Sequence, residues 1–241
     1  MELNIASKFG ENNKIMLQKF KDRREGGRKL AEKLIDFRND QNAVVLALPR
    51  GGVPVGFEVA DALNLTLDIF IVRKLGVPNR EELAFGAIAS GGITVLNESL
   101  VKTFKIPDSM IQKVFEREGS ELKRREKLYR QSNSPADLRG KTIIIVDDGI
   151  ATGATIKAAV TAIREQKPGR VIIAVPVASR DFCDYLELRP NDRFICLMNP
   201  QPFYGIGNWY LDFQQVTDEE VCDLLEKVKG YISSQNFRTA A

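Results

Sequence analysis

Short apolar runs alternate with longer amphipathic stretches along most of the chain. Residues 43–48 (AVVLAL) are too few for a helix, and they predict a buried strand. Ahead of them, residues 20–38 predict an amphipathic helix, with Phe20, Gly27, Ala31, Leu34 and Ile35 on one face and Arg23, Arg24, Lys29 and Arg38 elsewhere. Gly51 and Gly52 end the first strand, residues 53–63 predict a helix, and 67–72 predict a second buried strand. Residues 83–89 and Ile93–Leu96 flank Ser90-Gly91-Gly92, a hairpin signal. Residues 97–130 read as helical with a break at Pro107, and 132–137 as a polar turn. Thr142–Val146, 171–177 and 194–198 predict three further strands. Helices are expected at 153–166, stopped by Lys167-Pro168-Gly169, and at 181–188. Residues 199–213 form an irregular aromatic stretch, and Thr217 with Glu220 has capping-box spacing ahead of a last helix.

Strands that alternate with helices imply an α/β fold: a parallel sheet with helices on both faces. Nothing resembling a linker divides the chain, so one domain over 1–241 is expected. It comprises an N-terminal helix within 1–40, a hairpin followed by a helical insertion at 97–135, and a C-terminal aromatic segment at 199–241. In such folds ligands sit at the carboxyl ends of strands. The loops after Leu48, Val72 and Val146 are therefore the places to look for chemistry.

Composition narrows the chemistry by exclusion. There is no histidine, so neither a Ser-His-Asp triad nor a histidine-ligated metal centre can form. Cys183, Cys196 and Cys222 fit no zinc or C-x-x-C spacing and read as small apolar residues of a reducing compartment. The formal charge of +3, from 35 basic and 32 acidic residues, leans only weakly toward anionic ligands. The basic residues Lys123, Arg124, Arg125, Lys127 and Arg130 are interleaved with acids at helical spacing, which describes a solvated helix face; no nucleic-acid partner is expected. The longest apolar run, 171–178, is far too short to span a membrane, and residues 1–14 lack the pattern of a secretory leader; no membrane association and a cytoplasmic location are expected.

The densest signal is the run 146–155, Val-Asp-Asp-Gly-Ile-Ala-Thr-Gly-Ala-Thr. A buried strand delivers two adjacent carboxylates, which repel each other unless hydroxyls or a hydrated cation engage them. Small residues then let backbone N–H groups approach an anion, and a helix N-terminus adds its partial positive charge. A diol site beside a phosphate site suits a ribose 5-phosphate. The plain alternative is a strand–turn–helix with an Asx turn. Two further segments stand at expected ligand edges: Leu48-Pro49-Arg50-Gly51-Gly52-Val53-Pro54, with glycines for unusual backbone angles and an arginine fork for phosphate, and Val72-Arg73-Lys74-Leu75-Gly76, with its basic pair. The plainer alternatives are an ordinary strand-to-helix turn with a surface arginine for the first and a solvated basic pair for the second.

The hydrophobic run Ile143-Ile144-Ile145-Val146, the pair Asp147-Asp148 and the loop 151–155 together resemble the 5-phosphoribosyl-1-pyrophosphate (PRPP) motif of the type I phosphoribosyltransferase family. The wider arrangement, with Arg73-Lys74-Leu75-Gly76 and Trp209-Tyr210-Leu211-Asp212-Phe213, is similar to a group of bacterial members with no assigned acceptor. The substrate-specifying region does not align with the adenine, hypoxanthine, uracil or orotate enzymes. The resemblance implies that Asp147 and Asp148 bind the ribose hydroxyls and that Ala151, Thr152, Gly153, Ala154 and Thr155 hold the 5-phosphate. It implies that Arg50, Gly51, Gly52 and Lys74, with Arg73 a weaker candidate, meet the pyrophosphate. Mg²⁺ is the implied cofactor, carried mainly by PRPP and water with no direct protein ligands. The implied reaction transfers the phosphoribosyl group from PRPP to a nitrogenous acceptor, for which Phe203, Tyr204 and Trp209 are stacking candidates. Their alternative role is an aromatic plug over the core. Residues 76–92 are the favoured lid and 97–130 an acceptor cover or dimer surface, a homodimer being implied by resemblance only. The competing functional reading is a regulatory protein that binds PRPP or a nucleotide without transfer.

Overall fold

The structure, a computed structural model, describes residues 19–77, 80–130, 134–184 and 188–239, and of 80–83, 184 and 229–239 the backbone only. Five strands form one parallel sheet: β1 (Ala43–Ala47), β2 (Thr66–Ile69), β6 (Thr142–Val146), β7 (Arg170–Val177) and β8 (Arg193–Met198), in the order β2-β1-β6-β7-β8. Three more, β3 (Val72–Val77), β4 (Arg80–Ala89) and β5 (Ile93–Leu96), form a separate antiparallel sheet. The helices are α1 (Arg23–Lys33), α2 (Gly52–Leu63), α3 (Glu98–Thr103), α4 (Asp108–Arg130), α5 (Ala154–Glu165), α6 (Arg180–Asp184) and α7 (Asp218–Thr239).

The period-two alternation of β6 shows how the layers assemble. Ile143 and Ile145 pack with Ile156, Ala159, Val160 and Ile163 of α5. Ile144 and Val146 face the other way, against α1 (Leu30, Ala31) and α2 (Val55, Val59, Ala60). Every residue of β1 is buried, as a parallel strand covered on both faces requires. A third cluster lies beyond the β2 edge, where Leu75, Val77, Phe85 and Ile88 of the antiparallel sheet meet Val114 and Leu122 of α4 and Val221 and Leu224 of α7. No helix among the described residues is long and apolar enough to cross a membrane.

Three elements differ from the sequence expectation. The strand expected at 67–72 is two strands: β2 ends at Ile69, and β3 starts at Val72 in the other sheet. Apolar residues run without a break from Ile69 to Val72, so no polar or glycine signal marks the change of partner. As a result Arg73 and Lys74 lie inside β3, not at the end of a core strand. The N-terminal helix is shorter than 20–38. Asp22 caps it by accepting from Glu25 N, a 3-10 turn (Ile35–Phe37) follows it, and Phe20 bridges instead to Tyr210. The helix expected at 181–188 is observed as Arg180–Asp184, with 185–187 outside the described residues. Parts of the expected turn at 132–137 and of the expected lid at 76–92 also fall outside them. All three cysteines are half-buried thiols outside any disulfide, and burial pushes the Cys196 thiol up to about 12.

Candidate functional site

The chain reverses its direction of travel across the sheet between β1 and β6, since β2 lies to one side of β1 and β7 and β8 lie beyond β6. A crevice forms outside the carboxyl ends of the strands at such a crossover. Two loops meet there, 48–52 after β1 and 147–153 after β6, and Leu48 N donates to Val146 O at 2.9 Å to join them. The Pro49–Arg50 peptide is cis. Gly51 has ordinary helical angles (φ −58, ψ −32), so crowding alone excludes a side chain there. A Cβ would lie 2.6 Å from Asp148 Cγ and nearer still to Oδ2. At Gly52 it would lie 2.6 Å from Val146 O. The two glycines let the loops touch.

The acid pair is clasped from several sides. Asp147 Oδ1 accepts from Asp148 N at 2.9 Å. Asp148 Oδ2 accepts from Arg23 Nε at 2.8 Å. Arg23 Nη1 donates to Gln214 O at 2.8 Å, and its guanidinium lies 3.8 Å from the Phe213 ring centroid. Tyr210 OH donates to the Asp148 carbonyl at 2.5 Å. Among the described residues, no other residue donates to Asp147 Oδ2 or Asp148 Oδ1, which leaves two acceptor oxygens at the crevice. Burial, reinforced by the neighbouring Asp148 charge, holds the Asp147 carboxyl well above the usual range. Burial also raises Asp148, opposed chiefly by the hydrogen bond from Arg23.

Beyond the pair, the loop is stapled to the end of β7. Ile150 N donates to Val177 O at 2.9 Å, Ser179 N to Ile150 O at 2.8 Å, and Ser179 Oγ to Ala151 O at 2.5 Å. Gly153, at φ +74, is the N-cap of α5 and offers no capping side chain. A Cβ there would run into the Phe182 ring. Among the described residues, the one side-chain contact to the first turn is long, Ala154 N to Thr152 Oγ1 at 3.5 Å. Ala151, Thr152 and Thr155 are exposed. The first N–H groups of a helix lack intrahelical partners, so this end presents donors and a positive partial charge to solvent.

The other candidates are more scattered. Arg50 is 3.6 Å from Asp218 Oδ1 at the start of α7. Asp218 also receives the Tyr129 hydroxyl and lies 3.7 Å from Arg124. Arg73 is committed to the buried Glu118 of α4 through Nε (2.8 Å) and Nη2 (2.5 Å), and Arg117 holds the other carboxylate oxygen. Lys74 is half-buried on the opposite face of β3, with no side-chain partner among the described residues. Phe203 and Trp209 are half-buried and pack with Phe20, Val177 and Tyr210, whereas Tyr204 is 77% exposed. Sequence reasoning missed Arg23, Tyr210 and Asp218. Tyr210 sat within a noted aromatic run, but Arg23 carried no signal beyond lying on the polar side of a helix.

A family model for the phosphoribosyl transferase domain matches residues 75–195. A Mycobacterium tuberculosis protein, whose name proposes it as a phosphoribosyl transferase, is 42% identical over 212 residues, covering 86% of this chain and 46% of that one. The chain thus spans about half the length of the curated relatives it matches first. A Chloroflexus aurantiacus protein named bifunctional protein PyrR is 30% identical over 129 residues, 52% of this chain and 65% of that one. The crystal structure of TT1426 from Thermus thermophilus superposes with a TM-score of 0.77 at 39% identity, covering 86% of this chain and 98% of that one.

Proposed function

The chain belongs to the phosphoribosyl transferase domain family, and from that premise we propose that it transfers the 5-phosphoribosyl group of PRPP to a nitrogenous acceptor. The observation that carries this reading is the adjacency of three elements at the β1/β6 crossover. These are a carboxylate pair with two uncommitted oxygens, an uncapped helix N-terminus, and a glycine loop bearing Arg50.

The chemistry follows from that placement. Asp147 Oδ2 and Asp148 Oδ1 accept hydrogen bonds from the two ribose hydroxyls. The N–H groups and threonine hydroxyls of 151–155 hold the 5-phosphate, where the positive end of α5 suits a dianion. These anchors leave C1 toward the 48–52 loop. The acceptor nitrogen attacks C1, the bond from C1 to the pyrophosphate oxygen breaks, and the nitrogen gives up a proton. Because the transition state spreads positive charge over the ribose and negative charge over the leaving group, the main requirement is electrostatic. Arg50 and the N–H group of Gly51 meet the pyrophosphate; the Gly52 N–H, expected there too, instead donates to Leu48 O at 3.1 Å. The Arg50–Asp218 contact is long and partly exposed, so the guanidinium is cheap to redirect. Lys74, with no side-chain partner among the described residues, is the second cation.

Among the described residues no group of three acidic, cysteine or histidine side chains converges to cage a metal. A Mg²⁺ riding on PRPP needs few protein ligands, and would be held mainly by pyrophosphate oxygens, ribose hydroxyls and water. Bound there, it would neutralise charge on the pyrophosphate. Phe203, Tyr204 and Trp209 stand as the surface for stacking a planar acceptor, Tyr204 being the most exposed.

Calorimetric titration with Mg-PRPP, for the wild type and an Asp147→Asn/Asp148→Asn variant, tests the reading. Saturable binding that the variant loses is expected, followed by pyrophosphate release in a screen of nitrogenous bases. A wild type that binds no PRPP would end it.

A further inference from the structure

Resting on the ribose-binding role of the acid pair, we propose that Arg23 is a positioning residue of the site: it holds the Asp148 carboxylate against the Gly51 backbone, so that Oδ1 faces the ribose.

Four observations converge. Arg23 lies 125 positions from Asp148 in the chain, yet its side chain and that of Asp148 are each only 12% exposed. The guanidinium is fixed at three points: Nε on Asp148 Oδ2, Nη1 on the Gln214 carbonyl, and its face on Phe213. Phe213 in turn stacks on Tyr210 at 5.1 Å, and the Tyr210 hydroxyl holds the Asp148 carbonyl. Thus backbone and carboxylate of Asp148 are gripped by one connected unit. Finally, the room beside Asp148 is closed by Gly51, so the carboxylate has one place to stand.

The arrangement divides labour between the oxygens of Asp148. Oδ2 is occupied by a fixed cation, while Oδ1 is left for ligand. Without Arg23, two adjacent buried carboxylates would face each other uncompensated, and the Asp148 side chain would be free to turn toward solvent. Arg23 touches neither PRPP nor acceptor in this scheme; it acts through Asp148. A planar fork is suited to this, because it reaches a carboxylate and a carbonyl at once. A lysine keeps the charge but has one nitrogen for two acceptors.

Two probes separate this role from a merely structural one. Mg-PRPP engages the acid pair through ribose, whereas Mg-pyrophosphate engages only the 48–52 side of the site. Calorimetry on the full chain is expected to show Mg-PRPP affinity falling at least about tenfold in Arg23→Gln, the worth of one charge-assisted hydrogen bond. Arg23→Lys should recover part of the loss, and Mg-pyrophosphate affinity should stay within about twofold of wild type. Unchanged PRPP affinity in a folded Arg23→Gln protein overturns the proposal, as does an equal loss of both ligands. Should Arg23→Gln fail to fold by circular dichroism, Phe213→Leu keeps the arginine and removes the ring that fixes it. Its PRPP affinity should fall severalfold, and wild-type affinity there overturns the proposal. A wild type that binds pyrophosphate but not PRPP removes the ribose reading itself, and with it this role. A wild type that binds PRPP alongside an unaffected Arg23→Gln removes the role alone.

Discussion

Gly51→Ala isolates one contact between the two loops of the site. Its backbone angles suit alanine, and removing a glycine from the unfolded chain favours the folded state by about 0.4–1 kcal/mol. The steric effect is opposite in sign and larger. The new Cβ would stand 2.6 Å from Asp148 Cγ, where carbon atoms rest at about 3.5–4.0 Å, so something must shift by roughly 1 Å. That shift exceeds the tolerance of the 2.8 Å bond from Arg23, since N–H···O bonds span about 2.7–3.2 Å. Overpacking costs about 1–3 kcal/mol and the loss of a charge-assisted bond about 1.5–3 kcal/mol; as the two overlap, a net loss of about 2–4 kcal/mol is expected. For a chain of this size that lowers Tm by roughly 5–15 °C, and Mg-PRPP binding is lost with it. The decisive comparison is made in an Asp148→Ala background, by urea unfolding at pH 7. With the carboxylate gone, Gly51→Ala should be neutral or stabilising by up to about 1 kcal/mol. An equal cost in both backgrounds would refute the argument, because the penalty would then have nothing to do with Asp148.

Three further outcomes follow from the same geometry. Asp147 has a raised native pKa, so the folded state binds more protons than the unfolded chain between about pH 3.9 and the native value, and stability falls as pH rises through that window. Asp147→Asn should therefore raise Tm at pH 7–8, with the gain shrinking to nothing as pH drops to about 4; a gain that persists at pH 3 contradicts this. Tyr210→Phe strips the donor from the buried Asp148 carbonyl and should cost about 1–3 kcal/mol in urea unfolding, while a cost below about 0.3 kcal/mol would show that the carbonyl finds another partner. Arg50→Ala breaks only a long, partly exposed pair and should cost less than about 1 kcal/mol of stability, yet weaken Mg-pyrophosphate at least about tenfold; unimpaired binding would assign the pyrophosphate to other donors.

What the sequence discloses divides along one line, whether a signal is contiguous. The β6 strand, the acid pair and the small-residue loop occupy consecutive positions, so hydrophobic pattern, charge and helix start could be read together. The Gly51-Gly52 turn was legible as a turn, but its reason was not, because the crowding atom belongs to Asp148 far along the chain. Arg23 and Tyr210 meet Asp148 across 125 and 62 positions, and nothing local distinguishes them from other helix-face arginines or core tyrosines. The break between β2 and β3 was hidden for the opposite reason: Phe70 and Ile71 are buried and apolar on both sides of the switch in pairing, so the pattern runs on where the strand does not. That error placed Arg73 at a ligand edge, when Glu118 in fact claims it.

The clasp on Asp148 also ties affinity to breathing. Its two arms come from α1 and from the segment 210–214, which flank the sheet in sequence and are joined to each other by Phe20 N to Trp209 O and Leu211 N to Phe20 O. The 210–214 arm lies outside helix and strand, whereas α1 is packed into the core; irregular segments of this kind open by local unfolding at a lower free energy than the central strands. If this arm opens while the sheet and both loops persist, Asp148 loses part of its restraint, and the competent population depends on how the arm docks. Apparent affinity is then the intrinsic affinity scaled by that fraction, and ligand in turn draws the arm closed, stabilising a part of the protein it never touches.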